Sequence, residues 1–168
     1  MIKKKVSLLI KLSIKNNLNI SVAESCTGGL LSSSIIEQSG ASNIFNSGFV
    51  TYSNIAKIKN LNVKKKLINT YGAVSKETSL AMAKGLYKIT KSNLIVSITG
   101  VAGPNGGTKE NPVGTVYFTF GIKNKNKNII YITNKMKFNL KSRIKIQKKS
   151  VNYALNQFIV IINTYKFG

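Results

Sequence analysis

The sequence has 168 residues, 43% of them hydrophobic, and 26 Lys and Arg against four Glu give it a formal net charge of +22. It contains no His and no Asp, and Cys26 is its single cysteine. These absences exclude a Ser-His-Asp or Cys-His catalytic site, a disulfide within the chain, and a zinc site built from His or from Cys alone. The length suits one domain, residues 1–168, and the lack of a long apolar run or an export signal predicts a soluble cytoplasmic protein with no membrane partner.

The spacing of apolar residues predicts helices that alternate with strands along most of the chain. Helices are expected over residues 6–16, 30–38, 63–70, 76–90 and 140–165, and Ser53-Asn54 can cap a further helix that runs through Ala56, Ile58 and Leu61. Strands are expected over residues 20–23, 44–52, 94–98, 113–122 and 129–136. The last two strands are joined by the short tract 123–128, which leaves no room for a helical crossover, so we expect them to pair as an antiparallel hairpin. The pattern predicts a three-layer α/β/α domain with a mixed sheet of about five strands.

A turn with two glycines joins the first predicted strand to the second predicted helix, with the sequence AESCTGG over residues 23–29. The hydroxyl of Ser25 would lie over the amides of a helix N-terminus, which can stabilise an oxyanion, and the glycines let a substrate approach the backbone. The alternative is a helix cap with a tight turn. Cys26 has no His partner, so we expect a small buried residue rather than the nucleophile. If the protein is a hydrolase, the missing His and Asp favour a serine–lysine site.

Two further segments contain candidate functional residues. Tyr52 ends the second predicted strand, and Lys57 follows in the first turns of a helix. Lys57 can act as a general base only if burial or positive neighbours lower its ordinary pKa of about 10.4. Taken alone, Lys57 is expected to be solvated and Tyr52 to lie in the core. The glycine-rich loop 100–108 has the composition of a backbone nest for a phosphate but matches neither the P-loop nor the Rossmann pattern, and a plain turn is the alternative.

The positive charge is spread over the whole chain rather than clustered. Arg143 is the only arginine, so bidentate contacts to guanine or phosphate have a single source, and the lysines extend from Lys3 to Lys166. We therefore expect no specific nucleic-acid partner and only weak electrostatic adhesion to polyanions.

Five segments of the chain resemble, in order and spacing, the CinA C-terminal domain family. They are SVAESCTGG at 21–29, GFVTYSN at 48–54 followed by Lys57, YGAVS at 71–75, SITGVAGP at 97–104 and NPVGTV at 111–116. The resemblance implies a three-layer α/β/α fold. It also implies hydrolysis of the carboxamide of nicotinamide mononucleotide, giving nicotinate mononucleotide and ammonia, with neither a metal nor a cofactor.

The resemblance also assigns roles to residues. The family's nucleophilic serine falls on Ser25, and its tyrosine and lysine partners fall on Tyr52 and Lys57. The candidates for holding the substrate or its oxyanion are Thr27, Gly28, Gly29, Thr99, Gly100, Gly103, Gly106, Gly107 and Arg143. Nicotinamide mononucleotide would be the small-molecule partner, and we expect a homo-oligomer, with a dimer favoured.

The chain departs from the family pattern at two places. Ile55 stands where family members commonly have Glu, and Lys141-Ser142-Arg143 stands where they have Gly-Asp-Arg, so that Arg143 is kept as a phosphate ligand. The additional N-terminal domain of the larger CinA proteins has no counterpart in this sequence, so no pyrophosphatase activity is expected. The departures and the charge leave open a second interpretation, an accessory or nucleic-acid-adhering protein that has the fold without the activity.

Overall fold

Five strands form one mixed sheet in the structure, a computed structural model that describes residues 2–165 and residue 167. The strands are β1 Ile20–Glu24, β2 Phe45–Val50, β3 Leu94–Gly100, β4 Thr115–Lys123 and β5 Ile129–Lys137. Their order across the sheet is β2-β1-β3-β4-β5. Strand β1 is parallel to both β2 and β3, whereas β4 is antiparallel to β3 and to β5. The predicted hairpin of the last two strands is therefore confirmed.

Six α-helices cover the two faces of the sheet. They are α1 Ile2–Lys15, α2 Leu30–Ile36, α3 Asn54–Leu61, α4 Lys65–Tyr71, α5 Lys76–Thr90 and α6 Arg143–Thr164, with a short 3-10 helix at Ala41–Asn43. Helices α1, α2 and α6 pack on one face, and α3, α4 and α5 pack on the other. This arrangement confirms the three-layer α/β/α fold.

Local sequence explains where several of the helices begin. The hydroxyl of Ser53 accepts a hydrogen bond from Ala56 N at 3.0 Å, and Ser75 accepts one from Thr78 N at 3.1 Å. Each hydroxyl satisfies a backbone N–H that a helix start leaves without a partner. Because Ser53 begins α3, it also fixes how far Lys57 lies from the end of β2.

On the face of the sheet that α3, α4 and α5 cover, a close contact with α5 positions α3. A Cβ atom at Gly85 of α5 would collide with the main-chain carbonyl of Leu61, the last residue of α3. Glycine is therefore needed at this position for α5 to approach the end of α3. Leu61 is itself buried with Met82 and Leu86 of α5, and this packing holds α3 against the sheet.

The two core layers differ in their polar content. The layer between the sheet and helices α1, α2 and α6 contains a cluster of aromatic rings, in which Phe120 packs edge-on against Phe158 of α6 with ring centroids 5.7 Å apart. Under α5, buried hydroxyls form a chain: Ser79 bonds to Thr119 at 2.8 Å, and Thr119 bonds to Thr133 at 2.9 Å. These hydroxyls satisfy one another, which removes most of the cost of burying them.

The boundaries of the elements differ from the predictions by a few residues. Strand β3 continues to Gly100, because Gly100 still pairs with Val116 of β4, and α6 begins at Arg143 rather than at residue 140. Within residues 2–165, no helix combines the length and the apolar character that crossing a membrane requires.

Candidate active site

The candidate residues meet at one edge of the sheet, where the parallel strands β1, β2 and β3 end. Ser25 follows β1 directly, and its N–H donates to Ile98 O of β3 at 2.9 Å. On the other side of β1, Thr51 N donates to Glu24 O at 2.8 Å. The carboxyl ends of parallel strands are where open α/β sheets commonly bind ligands. The short strand-to-helix connections therefore bring Ser25 and the start of α3 together.

Lys57 is buried beside Ser25. Its side chain is 1% exposed, and its Nζ lies 3.0 Å from Ser25 Oγ. Nζ also donates to the main-chain carbonyls of Thr51 at 3.0 Å and Tyr52 at 3.2 Å. Burial lowers the pKa of Lys57 below its ordinary value, because an ammonium loses hydration inside the protein. The expectation of a solvated lysine at this position was wrong.

The three contacts of Lys57 suit a proton acceptor. A neutral amine has two N–H groups and one lone pair, and the two carbonyls of Thr51 and Tyr52 can take both N–H groups. The lone pair is then left for the hydroxyl proton of Ser25. In the protonated form, the same three acceptors match the three donors of an ammonium. The arrangement can therefore receive a proton from Ser25 without moving any residue.

Tyr52 contacts Lys57 through its main chain rather than through its phenol. The side chain is 60% exposed, and the phenol oxygen accepts a hydrogen bond from Arg143 Nη2 at 3.0 Å. The expectation of a core tyrosine was therefore wrong. The structure brings Tyr52 to the edge of the site, where the phenol is bound to a guanidinium.

Glu24 is a component of the site that sequence reasoning did not identify. Its side chain is fully buried, and its carboxylate accepts hydrogen bonds from the N–H groups of Gly29, Leu31 and Ser32 and from the hydroxyl of Ser32, at 2.7–3.2 Å. Gly29, the N-cap residue of α2, has a φ of 95° and no side chain to cap the helix. The carboxylate therefore replaces the missing cap, and it ties α2 to the residue that precedes Ser25.

Some N–H groups of the turn after Ser25 donate hydrogen bonds within the protein, and others do not. The N–H of Gly28 donates to Ser25 O at 3.0 Å, and that of Gly29 donates to Glu24. Two of the three amides expected to hold the substrate are thus bonded within the protein. By contrast, the N–H groups of Cys26 and Thr27 donate no hydrogen bond to another residue among residues 2–165 and 167.

A pocket of about 290 Å³ opens beside Ser25. The sequence-predicted residues that line it are Ser25, Tyr52, Lys57, Thr99, Gly100, Gly103, Gly106 and Arg143. Those that do not line it are Thr27, Gly28, Gly29 and Gly107. Asn54 and Asn105 also line the pocket, and sequence reasoning did not select them because isolated asparagines at a helix start and in a turn are common.

The walls of the pocket are held by hydrogen bonds between separate loops. The hydroxyl of Thr99 donates to Ala73 O at 2.7 Å, and Asn111 Nδ2 donates to Val74 O at 2.9 Å. At Gly100, a Cβ atom would lie 2.5 Å from the carbonyl oxygen of Thr115, so only glycine lets β3 pass this close to β4. Because the Thr99 hydroxyl already donates to Ala73 O, it has fewer hydrogen bonds to offer a ligand.

The first turns of α6 contact both loops of the pocket. Arg143 Nη1 donates to Gly103 O at 2.9 Å, and one turn later Gln147 Nε2 donates to Cys26 O at 2.9 Å. Residues spaced by one turn lie on the same side of a helix. One side of α6 thus joins the Ser25 turn to the glycine-rich loop.

Cys26 lines the pocket, but its thiol is a poor nucleophile. The residue is 5% exposed, and burial raises the pKa of the thiol to about 12. At neutral pH such a thiol is almost entirely protonated and therefore a poor nucleophile. The expectation of a small buried residue is confirmed.

The two departures from the family pattern lie outside the pocket lining. Ile55 is 64% exposed on α3, and Ser142 precedes α6 without a side-chain capping bond. Neither side chain contacts Lys57 or Ser25 by a hydrogen bond. The departures therefore leave the contacts between Ser25 and Lys57 intact.

Sequence comparison identifies relatives that are longer than this chain. A putative competence-damage inducible protein of Clostridioides difficile is 48% identical over 147 residues, which are 88% of this chain and 34% of the relative. A protein of the same description from Thermoanaerobacter pseudethanolicus is 44% identical over 161 residues, 96% of this chain and 37% of the relative. The chain spans about a third of the length of the curated relatives it matches.

Structural comparison gives neighbours of nearly the same extent. The crystal structure of the competence/damage inducible protein CihA from Agrobacterium tumefaciens has a TM-score of 0.88 and 36% identity, with coverage of 97% of this chain and 96% of that one. A CinA superfamily protein from Escherichia coli has a TM-score of 0.87 and 32% identity, with coverage of 95% and 89%. The family model of the CinA C-terminal domain matches residues 2–162. This chain therefore belongs to the CinA C-terminal domain family.

Proposed function

We propose that the chain hydrolyses the carboxamide of nicotinamide mononucleotide to nicotinate mononucleotide and ammonia, with Ser25 as the nucleophile. The observation that carries the proposal is the 3.0 Å contact between Ser25 Oγ and the buried Nζ of Lys57. A lysine with a lowered pKa can be neutral at a working pH and can then remove the serine proton. The family resemblance supports the choice of substrate.

In the acylation step, the proton of Ser25 moves to Lys57 Nζ while Ser25 Oγ attacks the carboxamide carbon. The negative charge that develops on the carboxamide oxygen needs hydrogen-bond donors. The N–H groups of Cys26 and Thr27 are suited to this, because they directly follow the nucleophile and have no partner in the described part of the chain. The C–N bond then breaks, and the leaving nitrogen takes the proton from Lys57 and departs as ammonia.

In the deacylation step, water attacks the ester formed on Ser25. Lys57 is again neutral after the loss of ammonia, so it can take a proton from the water and return it to Ser25 Oγ as the ester bond breaks. The two carbonyls that hold Nζ keep it in place through both steps. The net reaction consumes one water and leaves a carboxylate on the pyridine ring.

The charge of the pocket favours an anionic substrate. Within the part of the chain that the structure describes, its lining contains no carboxylate, and Arg143 carries a permanent positive charge. Arg143 is exposed, and its present partners are the neutral oxygens of Gly103 and Tyr52. A phosphate would bind the guanidinium more strongly than these neutral acceptors do. We therefore place the phosphate of the mononucleotide toward Arg143 and the carboxamide toward Ser25.

Ammonia release from nicotinamide mononucleotide by the purified chain tests the proposal. We expect release with stoichiometric nicotinate mononucleotide, none with Ser25→Ala, and much slower release from nicotinamide riboside, which lacks the phosphate. Circular dichroism of Ser25→Ala serves as the folding control. Absence of release above Ser25→Ala from pH 7 to pH 10 would refute the deamidase proposal.

The formal charge of +22 supports one competing candidate, an accessory protein that adheres to nucleic acid. Such adhesion would be sensitive to salt and would persist in Ser25→Ala. If binding to duplex DNA survives that substitution while no ammonia is released by the unmodified chain, the accessory role replaces the enzymatic one.

A further inference from the structure

Gln147 is the polar residue of α6 that reaches the Ser25 turn. It is half-buried, and its Nε2 donates a 2.9 Å hydrogen bond to the main-chain carbonyl of Cys26, the residue that follows Ser25. The contact joins residues 121 positions apart in the chain. It therefore fixes the turn from outside the strand and helix that the turn connects.

Because the peptide bond is planar, the contact at the Cys26 carbonyl also affects the direction of the Thr27 N–H. The carbonyl of Cys26 and the N–H of Thr27 belong to one peptide unit, in which the two groups point in opposite directions. A bond that holds the carbonyl against α6 also fixes the direction of the Thr27 N–H. This N–H has no partner among residues 2–165 and 167. It is thus held in place next to Cys26, which lines the pocket, while Thr27 itself is buried behind that lining.

We propose that Gln147 is a positioning residue for the reaction of Ser25: it holds the Cys26–Thr27 peptide in the orientation that presents the Thr27 N–H to the developing oxyanion. The inference rests on the proposed hydrolysis at Ser25. Donors that are aligned before reaction stabilise a transition state at no cost of reorganisation. Without Gln147 the peptide loses this restraint on its orientation, and the loss falls on the transition state rather than on ground-state binding.

The test compares two leucine substitutions on the same helix. Gln147→Leu removes the hydrogen bond to Cys26, whereas Gln157→Leu makes the same change at another half-buried glutamine of α6 that has no hydrogen bond to the Ser25 turn. We expect Gln147→Leu to lower kcat for ammonia release about tenfold, since one oriented donor is worth a factor of this order or more. KM should change less than twofold, and the pH midpoint should stay in place because the contacts of Lys57 are retained. Gln157→Leu should match the unmodified chain.

A second variant tests the direction of the bond. Gln147→Glu has the same shape but places a carboxylate oxygen against the Cys26 carbonyl, so it should repel where Gln147 attracts. We expect a larger fall in kcat than in Gln147→Leu. Thermal melting of all three variants separates folding from positioning: a lowered Tm with an unchanged kcat per folded molecule would overturn the inference.

A substrate-independent readout separates this inference from the proposed function. A small alkyl fluorophosphonate forms a bond between Ser25 Oγ and phosphorus, releases fluoride and transfers the serine proton to Lys57; intact mass follows the rate. If the unmodified chain is labelled but releases no ammonia, and Gln147→Leu is labelled about tenfold more slowly, the positioning role stands and the deamidase proposal fails. Equal labelling and turnover in Gln147→Leu and Gln157→Leu would overturn the positioning role alone. A chain that neither releases ammonia nor is labelled would overturn both.

Discussion

Lys57 Nζ lies 3.0 Å from Ser25 Oγ, although the two residues are 32 positions apart and lie on different elements. The contact depends on two independent local features. The N-cap Ser53 sets the start of α3, and the carboxylate of Glu24 ties down the turn after β1. The consequence is that the reactivity of Ser25 can be changed through either feature.

Replacing Lys57 with arginine should abolish the base while keeping the positive charge. A guanidinium stays protonated at any usable pH, so Lys57→Arg should lower kcat by about 10²- to 10⁴-fold, the usual worth of a general base. Lys59→Arg, an exposed position on the same helix, is the matched control and should retain full activity. Turnover measured by ammonia release that is unchanged in Lys57→Arg would rule Lys57 out as the base.

The rate of ammonia release should rise with pH and then level off. Burial holds the pKa of Lys57 below 10.5, and the reaction needs the neutral amine, so kcat increases as the pH rises through the lowered pKa. The midpoint of the kcat profile should therefore lie below pH 10.5. A profile that falls over the same range, or that keeps rising past pH 10.5, would contradict this assignment.

Removing the phenol oxygen of Tyr52 should affect binding more than chemistry. Lys57 is bonded to the main-chain carbonyl of Tyr52, which Tyr52→Phe preserves, while the phenol is bonded to Arg143. We expect kcat to change by less than about threefold, because removal of one exposed hydrogen bond costs little. Steady-state kinetics beside Lys57→Arg provide the comparison. A loss of about 100-fold would instead assign the phenol a part in proton transfer.

Glu24→Gln should destabilise the fold. The amide has one acceptor oxygen where the carboxylate has two, and each carboxylate oxygen accepts from two of the four buried or partly buried donors, so two donors lose their partner, at a cost of about 1–3 kcal/mol. Urea unfolding followed by circular dichroism measures the change. Glu37→Gln is the control, because Glu37 pairs with Lys3 on the surface and such pairs contribute little. Equal midpoints for the two variants would show that Glu24 is not an essential cap.

Cys26→Ala should keep the activity. The thiol is buried and its pKa is raised to about 12, so it does not supply the nucleophile. In the unmodified chain, a thiol reagent such as iodoacetamide should react far more slowly in buffer than in urea. Loss of turnover in Cys26→Ala, with the fold retained, would point to Cys26 instead of Ser25.

Much of the fold follows from local sequence. The serine caps at Ser53 and Ser75, the apolar run of β3 and the short tract before β5 are signals confined to a few neighbouring residues, and each predicts the element that forms. The ends of elements are less well predicted, because they depend on partners elsewhere. Gly100 belongs to β3 only because β4 lies beside it.

The site was predictable only in part. The Ser25 turn has a local signature, but nothing in the residues around Lys57 shows that this lysine, among many, is buried; that depends on the packing of α3 against the sheet. The prediction that Ser25 and Lys57 act together came from the resemblance to the family's motifs. The capping role of Glu24 and the contact of Gln147 remained hidden, because both depend on where a side chain points after folding.

The placement of α6 has a consequence for synthesis on the ribosome. Both hydrogen bonds that join the Ser25 turn to the glycine-rich loop come from its first turns, and its apolar side packs on α1 and the sheet. A nascent chain that has emerged only as far as β5 has Ser25 and Lys57 but leaves open to solvent the part of the sheet and of α1 that α6 covers. Such an intermediate exposes apolar surface and is prone to aggregate. The step that covers this surface is thus the step that completes the pocket, so the same packing protects the chain from aggregation and joins the two loops of the pocket.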